Sequence, residues 1–278
     1  MNQIKRHFYN GKEYTLDEEN KTLSLSDSFH GKLLSKKLWN KFGFKKIGGS
    51  AIGDVLEADS YKSQFAAFCR MSWIGIPILD RKYVDAGIAI EPMVTDSLSR
   101  AMGLQIETFS PMDYEYDYFK NHDDIIGGIP DGYIHDKKMV LEIKTTGRKN
   151  KEKWETYGVP LAYIQQARLY TYLFNTKDKD IKSFMIAATF LNEEDYANPE
   201  NYPIDQRAKK TWTFELDEKI AQDDISLVKK WYLEHVTSGT SPKWNQKLDG
   251  DLLEWLRCSS KEEWEILKES WIQKGKIV

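Results

Sequence analysis

The chain has 278 residues, 41% hydrophobic and 30% charged, with a formal net charge of −3. That length suits one large α/β domain, or one domain with an appendage. No stretch approaches the roughly 20 apolar residues of a membrane-spanning helix, and the polar start gives no secretory signal. Cys69 and Cys258 alone make no disulfide framework, so a cytoplasmic location is expected.

Residues 1–44 read as a polar, basic segment. Asn10-Gly11 is a turn signal for a short hairpin there. Residues 33–43 and 50–73 read as helices, with Gly48-Gly49-Ser50 as turn and helix cap between them. A further helix is expected over 83–102, where Pro92 either starts it near Glu91 or kinks it. Residues 125–134 and 139–146 read as paired strands joined through His135–Lys138. Val159–Asn175 reads as a helix with Pro160 at its start. Strands follow at Ser183–Leu191 and near Thr211–Leu216, then a helix over Asp217–Val236 ended by Gly239 and Pro242. Residues 246–278 form a helical tail in which Trp255, Trp264, Leu267 and Trp271 recur at helical intervals. Such a stripe packs on the chain's own core or on a partner. This order implies an α/β fold with a central mixed β-sheet flanked by helices.

Charge is spread unevenly. Lys32, Lys36, Lys37, Lys41, Lys45 and Lys46 crowd one segment. Lys137, Lys138, Lys144, Arg148, Lys149, Lys151 and Lys153 crowd another, while 113–124 is acidic. A face that grips phosphate has this pattern, and so do ordinary solvated helix and loop surfaces.

The densest chemistry lies in Ile129-Pro130-Asp131-Gly132 and Leu141-Glu142-Ile143-Lys144. Strand side chains alternate faces, so Met139, Leu141, Ile143 and Thr145 share one face, and Val140, Glu142 and Lys144 the other. The short turn brings Asp131 toward Glu142. Two carboxylates at the ends of adjacent strands suit Mg²⁺, or Mn²⁺, which prefer oxygen ligands. The plain alternative is an edge strand with Glu142 and Lys144 in solvent. The five histidines have no zinc spacing, two cysteines cannot hold an iron–sulfur cluster, and Gly127-Gly128 lacks a phosphate-loop lysine.

With Ile47-Gly48-Gly49-Ser50-Ala51, Gly87–Pro92, Asp131, Glu142-Ile143-Lys144, Trp154, Gly158-Val159-Pro160, Tyr163 and Gln166–Tyr170, residues 45–245 resemble the PD-(D/E)XK nuclease superfamily. Within it they resemble the lambda exonuclease and YqaJ-like viral recombinase group, related to RecB-type nuclease domains. The resemblance implies a restriction-endonuclease-like core and a Mg²⁺-dependent exonuclease acting on ends of linear duplex DNA in recombination or repair. An endonuclease of the same fold and a non-catalytic DNA-binding protein are the competing readings. It implies Asp131 and Glu142 as metal ligands, with the Ile143 carbonyl a further one and Glu91 an added acid. Lys144 is implied as the catalytic lysine, with Gln166 beside the site. Ser50, Lys45, Lys46, Tyr170 and Arg148 are implied toward DNA. The plainer alternatives are helix caps for Glu91 and Ser50, a buried amide bonded to backbone for Gln166, and core for Tyr170. The group carries an arginine before its Gly-Gly-Ser segment, where this chain has Lys41, Lys45 and Lys46. A single-strand annealing protein and a second copy of the chain are the protein partners it suggests.

Overall fold

The computed structural model describes residues 4–36, 43–177 and 180–277. The chain divides into two compact units, residues 1–47, 54–80 and 226–278 in unit 1 and residues 48–53 and 81–225 in unit 2.

Unit 1 opens with a hairpin of β1 (Tyr14–Asp17) and β2 (Thr22–Leu25), with Tyr14 paired to Leu25. Its turn is not at Asn10-Gly11. Asn10-Gly11 turns the chain ahead of β1, and Asp17 closes the hairpin by accepting the Asn20 N–H at 2.9 Å. Helix α1 (Asp27–Leu34) starts at the cap Ser26 and stops at Ser35, followed by Lys36 with φ +53. Of the helix expected over 33–43, residues 33 and 34 form the end of α1, while 37–42, with Lys37 and Lys41, fall outside the described residues. The long helix expected over 50–73 is two: α2 (Gly49–Val55) and α3 (Gln64–Met71). Ser63 makes the break by capping α3, its hydroxyl accepting from the Ala66 N–H.

Unit 2 is built on α4 (Lys82–Met102), β3 (Ile106–Glu107), β4 (Gly132–Ile134), β5 (Met139–Gly147), α5 (Lys151–Tyr157), α6 (Leu161–Lys177), β6 (Ser183–Leu191), β7 (Lys209–Glu215) and the first part of α7 (Glu218–Trp231), whose residues from 226 onward are counted in unit 1. Helix α7 is followed by a π turn over Tyr232–Val236. The sheet is mixed, in the order β3-β4-β5-β6-β7, with β5 and β6 parallel and the other neighbours antiparallel. One face is covered by α4: Ala86, Ile90 and Val94 cluster with Met139, Leu141, Ile143, Met185 and Ala187. The alternation read from the sequence therefore holds on β5. Pro92 lies inside α4, so the helix neither starts nor ends there; Gly103, at φ +65, ends it. The strand expected over 125–134 shortens to Gly132–Ile134, because Pro130 has no N–H for a ladder and Gly128 has φ +126. The sequence reading also omitted the short β3 and α5.

The tail is two helices, α8 (Gly250–Arg257) and α9 (Lys261–Gln273), separated where Ser260 caps the second. Trp255 meets Trp264 at 4.8 Å between ring centres, and Trp264 meets Trp271 at 5.9 Å. All three are buried within unit 1. No described helix is long and apolar enough to cross a membrane.

Candidate active site

Three elements of unit 2 converge around β5. Glu142 is fully buried, at 0% exposure. Its Oε1 accepts a hydrogen bond from Lys144 Nζ at 2.5 Å, while its Oε2 is buried with no hydrogen-bond partner. Lys144 Nζ also donates to Gln166 Oε1 at 3.1 Å and lies 4.8 Å from the centre of the Tyr163 ring. Gln166 and Tyr163 are three residues apart on α6, hence on one helix face. The edge-strand alternative, with both side chains in solvent, does not describe this pair. Nor is Gln166 merely an amide bonded to backbone.

Asp131 immediately precedes β4, and its Oδ2 accepts the Ile143 N–H of β5 at 2.6 Å. This bond fixes the carboxylate beside the strand that carries Glu142. The Ile143 side chain itself lies in the core under α4. Glu91, on the tenth residue of α4, is half-buried and feels the charges of Asp131 and Lys144. Its mid-helix place removes the capping alternative.

Electrostatics follow from burial. Burial first, then the Asp131 charge, pushes the Glu142 carboxyl up to about 8. Burial and then Asp131 push Glu91 up to about 7. Burial also raises Asp131, against the opposing pull of Lys144 and the Ile143 N–H. Burial works against a charged Lys144, but Glu142 and Asp131 outweigh it and hold the amine above the ordinary lysine range. Lys144 is thus a fixed cation.

The donor set fits a hard divalent cation. Three carboxylates against one ammonium leave excess negative charge in a poorly solvated place, which is costly without further compensation. The unpartnered Glu142 Oε2 is an oxygen with spare capacity. No three His, Cys, Asp or Glu side chains among the described residues suffice by themselves to hold a metal. Asp131 and Glu142 are the carboxylates that could hold such an ion, with Glu91 close enough to feel Asp131.

A second layer holds this set in place. The Tyr170 hydroxyl accepts the Gly49 N–H at 3.1 Å, and the Ile129 amide also faces it. Tyr170 is buried, and Phe119 stacks on its ring. It therefore supports the segment before Asp131 rather than offering a surface to DNA. Asp117 accepts the Gly128 N–H at 2.8 Å. Asp117 was not singled out from the sequence, and Tyr163 was named there only as part of the family pattern, with no role at the site. The helical spacing of Tyr163 from Gln166 was a usable signal, whereas Asp117 lay hidden in an acidic run.

The other expected residues have no hydrogen bond or ion pair with the acids or Lys144 among the described residues. Ser50 is exposed in the first turn of α2, and Arg148 is exposed just beyond β5. Lys45 and Lys46 belong to unit 1, whereas the acids and Lys144 belong to unit 2.

The profile of the YqaJ-like viral recombinase domain matches residues 38–176. An uncharacterized protein of Mycoplasma genitalium is 29% identical, over 79% of this chain and 89% of its own length. A homologue of it in Mycoplasma pneumoniae is 26% identical, over 78% and 89%. Among solved structures, the chain is similar to a phage-related exonuclease from Haemophilus somnus (TM-score 0.47, 14% identity, 71% of this chain and 98% of that one). It is also similar to an alkaline exonuclease from Laribacter hongkongensis (TM-score 0.48, 13% identity, 75% and 92%).

Proposed function

The chain belongs to the YqaJ-like viral recombinase domain family, and from that premise we propose that it is a Mg²⁺-dependent DNA exonuclease acting on the ends of linear duplex DNA in recombination or repair. One observation carries the reading. A fully buried glutamate on a central strand keeps one oxygen unpartnered, beside an aspartate just ahead of the neighbouring strand and a lysine two residues on.

Asp131, Glu142 and the Ile143 carbonyl would hold the cation, with Glu91 behind them. When bound, such an ion neutralises charge at a phosphoryl centre and lowers the pKa of an attached water. Lys144, kept protonated by two carboxylates, supplies a preorganised positive charge rather than a base. Gln166 and the Tyr163 ring restrict where that ammonium can point, so little reorganisation is needed as negative charge develops. The α4-face core holds β5 rigid beneath the acids.

The test is timed digestion of linear and covalently closed circular duplex, with Mg²⁺ and with chelator. Linear duplex should shorten from its ends only with Mg²⁺, and circles should persist. Asp131→Asn and Lys144→Ala should each lower the rate by at least ~10²-fold. Degradation of circles would replace the exonuclease by an endonuclease. Unchanged activity in both variants would remove the site assignment.

A further inference from the structure

Helix α4 has a side that neither the core nor the acids use. Ala86, Ile90 and Val94 are buried against the sheet, and Glu91 feels the charges of Asp131 and Lys144. Asp85, Ile88, Ala89, Pro92 and Met93 occupy the i, i+3, i+4, i+7 and i+8 positions that share another side of the helix. Four of them, Asp85, Ile88, Ala89 and Met93, join Glu200 in walling a groove of about 430 Å³ within unit 2. Glu200 comes from the short turn Pro199–Asn201.

The groove has an apolar floor and an acidic rim. Met93 packs on the sheet core from outside, which anchors the floor. Ile88 stands beside it 62% exposed. Both polar side chains that line the groove, Asp85 and Glu200, are exposed carboxylates. Arg81 holds Oδ1 of Asp85 at 2.7 Å, whereas Glu200 has no ion pair among the described residues. Asp96, three residues beyond Met93, adds a further exposed acid on the same side of α4. Pro92 has no N–H to give the Ile88 carbonyl four residues before it, so the backbone here also offers an acceptor rather than a donor.

We propose that this groove docks a segment of another protein in which a large apolar side chain is flanked by lysine or arginine. The apolar side chain covers Ile88 and Met93, and the flanking cations meet Asp85 and Glu200. Complementary charge selects this occupant. A phosphate backbone would meet carboxylates of its own sign, and an uncharged apolar ligand would leave the rim acids without partners. The inference stands on α4 and the turn beside it, and not on the catalytic reading.

The test is fluorescence anisotropy of labelled synthetic peptides with the full chain, in chelator and at physiological ionic strength. One peptide places leucines along one side of a helix with lysines on both flanks. A second carries glutamate for each lysine, and a third carries serine for each leucine. Only the first should bind. Ile88→Ser and Glu200→Lys should each weaken it about tenfold. Both side chains are exposed, so the melting temperature should not change. Ile266→Ser, at an exposed isoleucine of α9, should bind as the parent does. Absence of binding by the first peptide, or binding that survives both groove variants, would overturn the proposal. Equal binding of the serine peptide would reduce the contact to adsorption by charge, and equal binding of the glutamate peptide would remove the role of the rim; either result overturns it. Sedimentation velocity supplies the remaining arm. Self-association of the parent chain that Ile88→Ser abolishes would assign the groove to a second copy and overturn the proposal also. Because metal is excluded throughout, cleavage activity neither supports nor weakens the result.

Discussion

Glu142 concentrates the residue-scale consequences. In the unfolded chain its carboxyl releases a proton near 4.5, whereas burial and then Asp131 hold it to about 8 in the folded chain. Between those values the folded state keeps a proton that the unfolded state has lost, so metal-free stability falls as pH rises through that window. Glu91, raised to about 7, acts in the same direction. Mg²⁺ needs the carboxylates ionised, so its stabilising effect should grow as the pH rises. At a hundredfold excess over Kd the gain is ~2.7 kcal/mol, on the order of 5–10 °C in Tm for a unit of this size. Thermal melts between pH 5 and 8.5, with and without Mg²⁺, check this. Glu142→Gln should lose most of the metal-free slope and the Mg²⁺ gain. A metal-free Tm that climbs from pH 5 to 8, or a Mg²⁺ shift independent of pH, would contradict it. Glu142 and Lys144 were legible in sequence because strand alternation alone places them side by side. The bond from Ile143 N–H to Asp131 was not, since it depends on where β4 ends.

At the scale of elements, the segment from Gly127 to Asp131 governs the site. It is not a strand but a strap held at Gly128, whose N–H goes to Asp117 and whose carbonyl receives the Tyr118 N–H at 2.9 Å. A Cβ on Gly128 would lie 2.7 Å from the Tyr170 hydroxyl, and its φ of +126 belongs to glycine. Gly128→Ala should therefore cost ~2–4 kcal/mol, from backbone strain together with overpacking. Tyr170→Ala removes the ring whose hydroxyl, Cε1 and Cζ would lie 2.7, 2.9 and 3.2 Å from that Cβ, so the double variant should be less damaged than the sum, with a coupling of ~0.5–3 kcal/mol. Urea denaturation of the four proteins measures the cycle, and strict additivity would show that the ring does not set the strap. Sequence reading succeeded on elements that carry long apolar patterns. Ser183–Leu191 is a strand with the expected bounds, and α6 is displaced by two residues because Pro160 precedes its first turn. It failed where a single side chain decides an element, as Ser63 does in breaking the helix expected over 50–73.

Across the whole molecule, the two units are stabilised by different devices. Unit 2 rests on a sheet with α4 over one face. Unit 1 has a small hairpin, and its termini are joined through one buried cation. The Arg6 guanidinium donates to the Phe8 carbonyl at 3.0 Å, the Trp255 carbonyl at 2.5 Å, the Tyr14 hydroxyl at 2.9 Å and the Cys258 carbonyl at 3.2 Å. It also lies 4.3 Å from the centre of the Trp255 ring. A helical-tail reading could recover the tryptophan stripe, but not its partner near the other end of the chain, because nothing local relates residue 6 to residue 255. Arg6→Met would leave several buried acceptors short of a donor, at ~1–3 kcal/mol for each left unpaired. Arg6→Lys recovers little, since an ammonium lacks the planar fork that spans these acceptors. The loss should be confined to unit 1. Hydrogen exchange should quicken in α8 and α9 of Arg6→Met while amides of β5 and β6 keep the parent's protection. Equal acceleration in both units would mean that the chain opens as one cooperative body. No change in α8 and α9 would mean that the tryptophan stripe alone holds the tail, and that the buried guanidinium contributes nothing net to its docking.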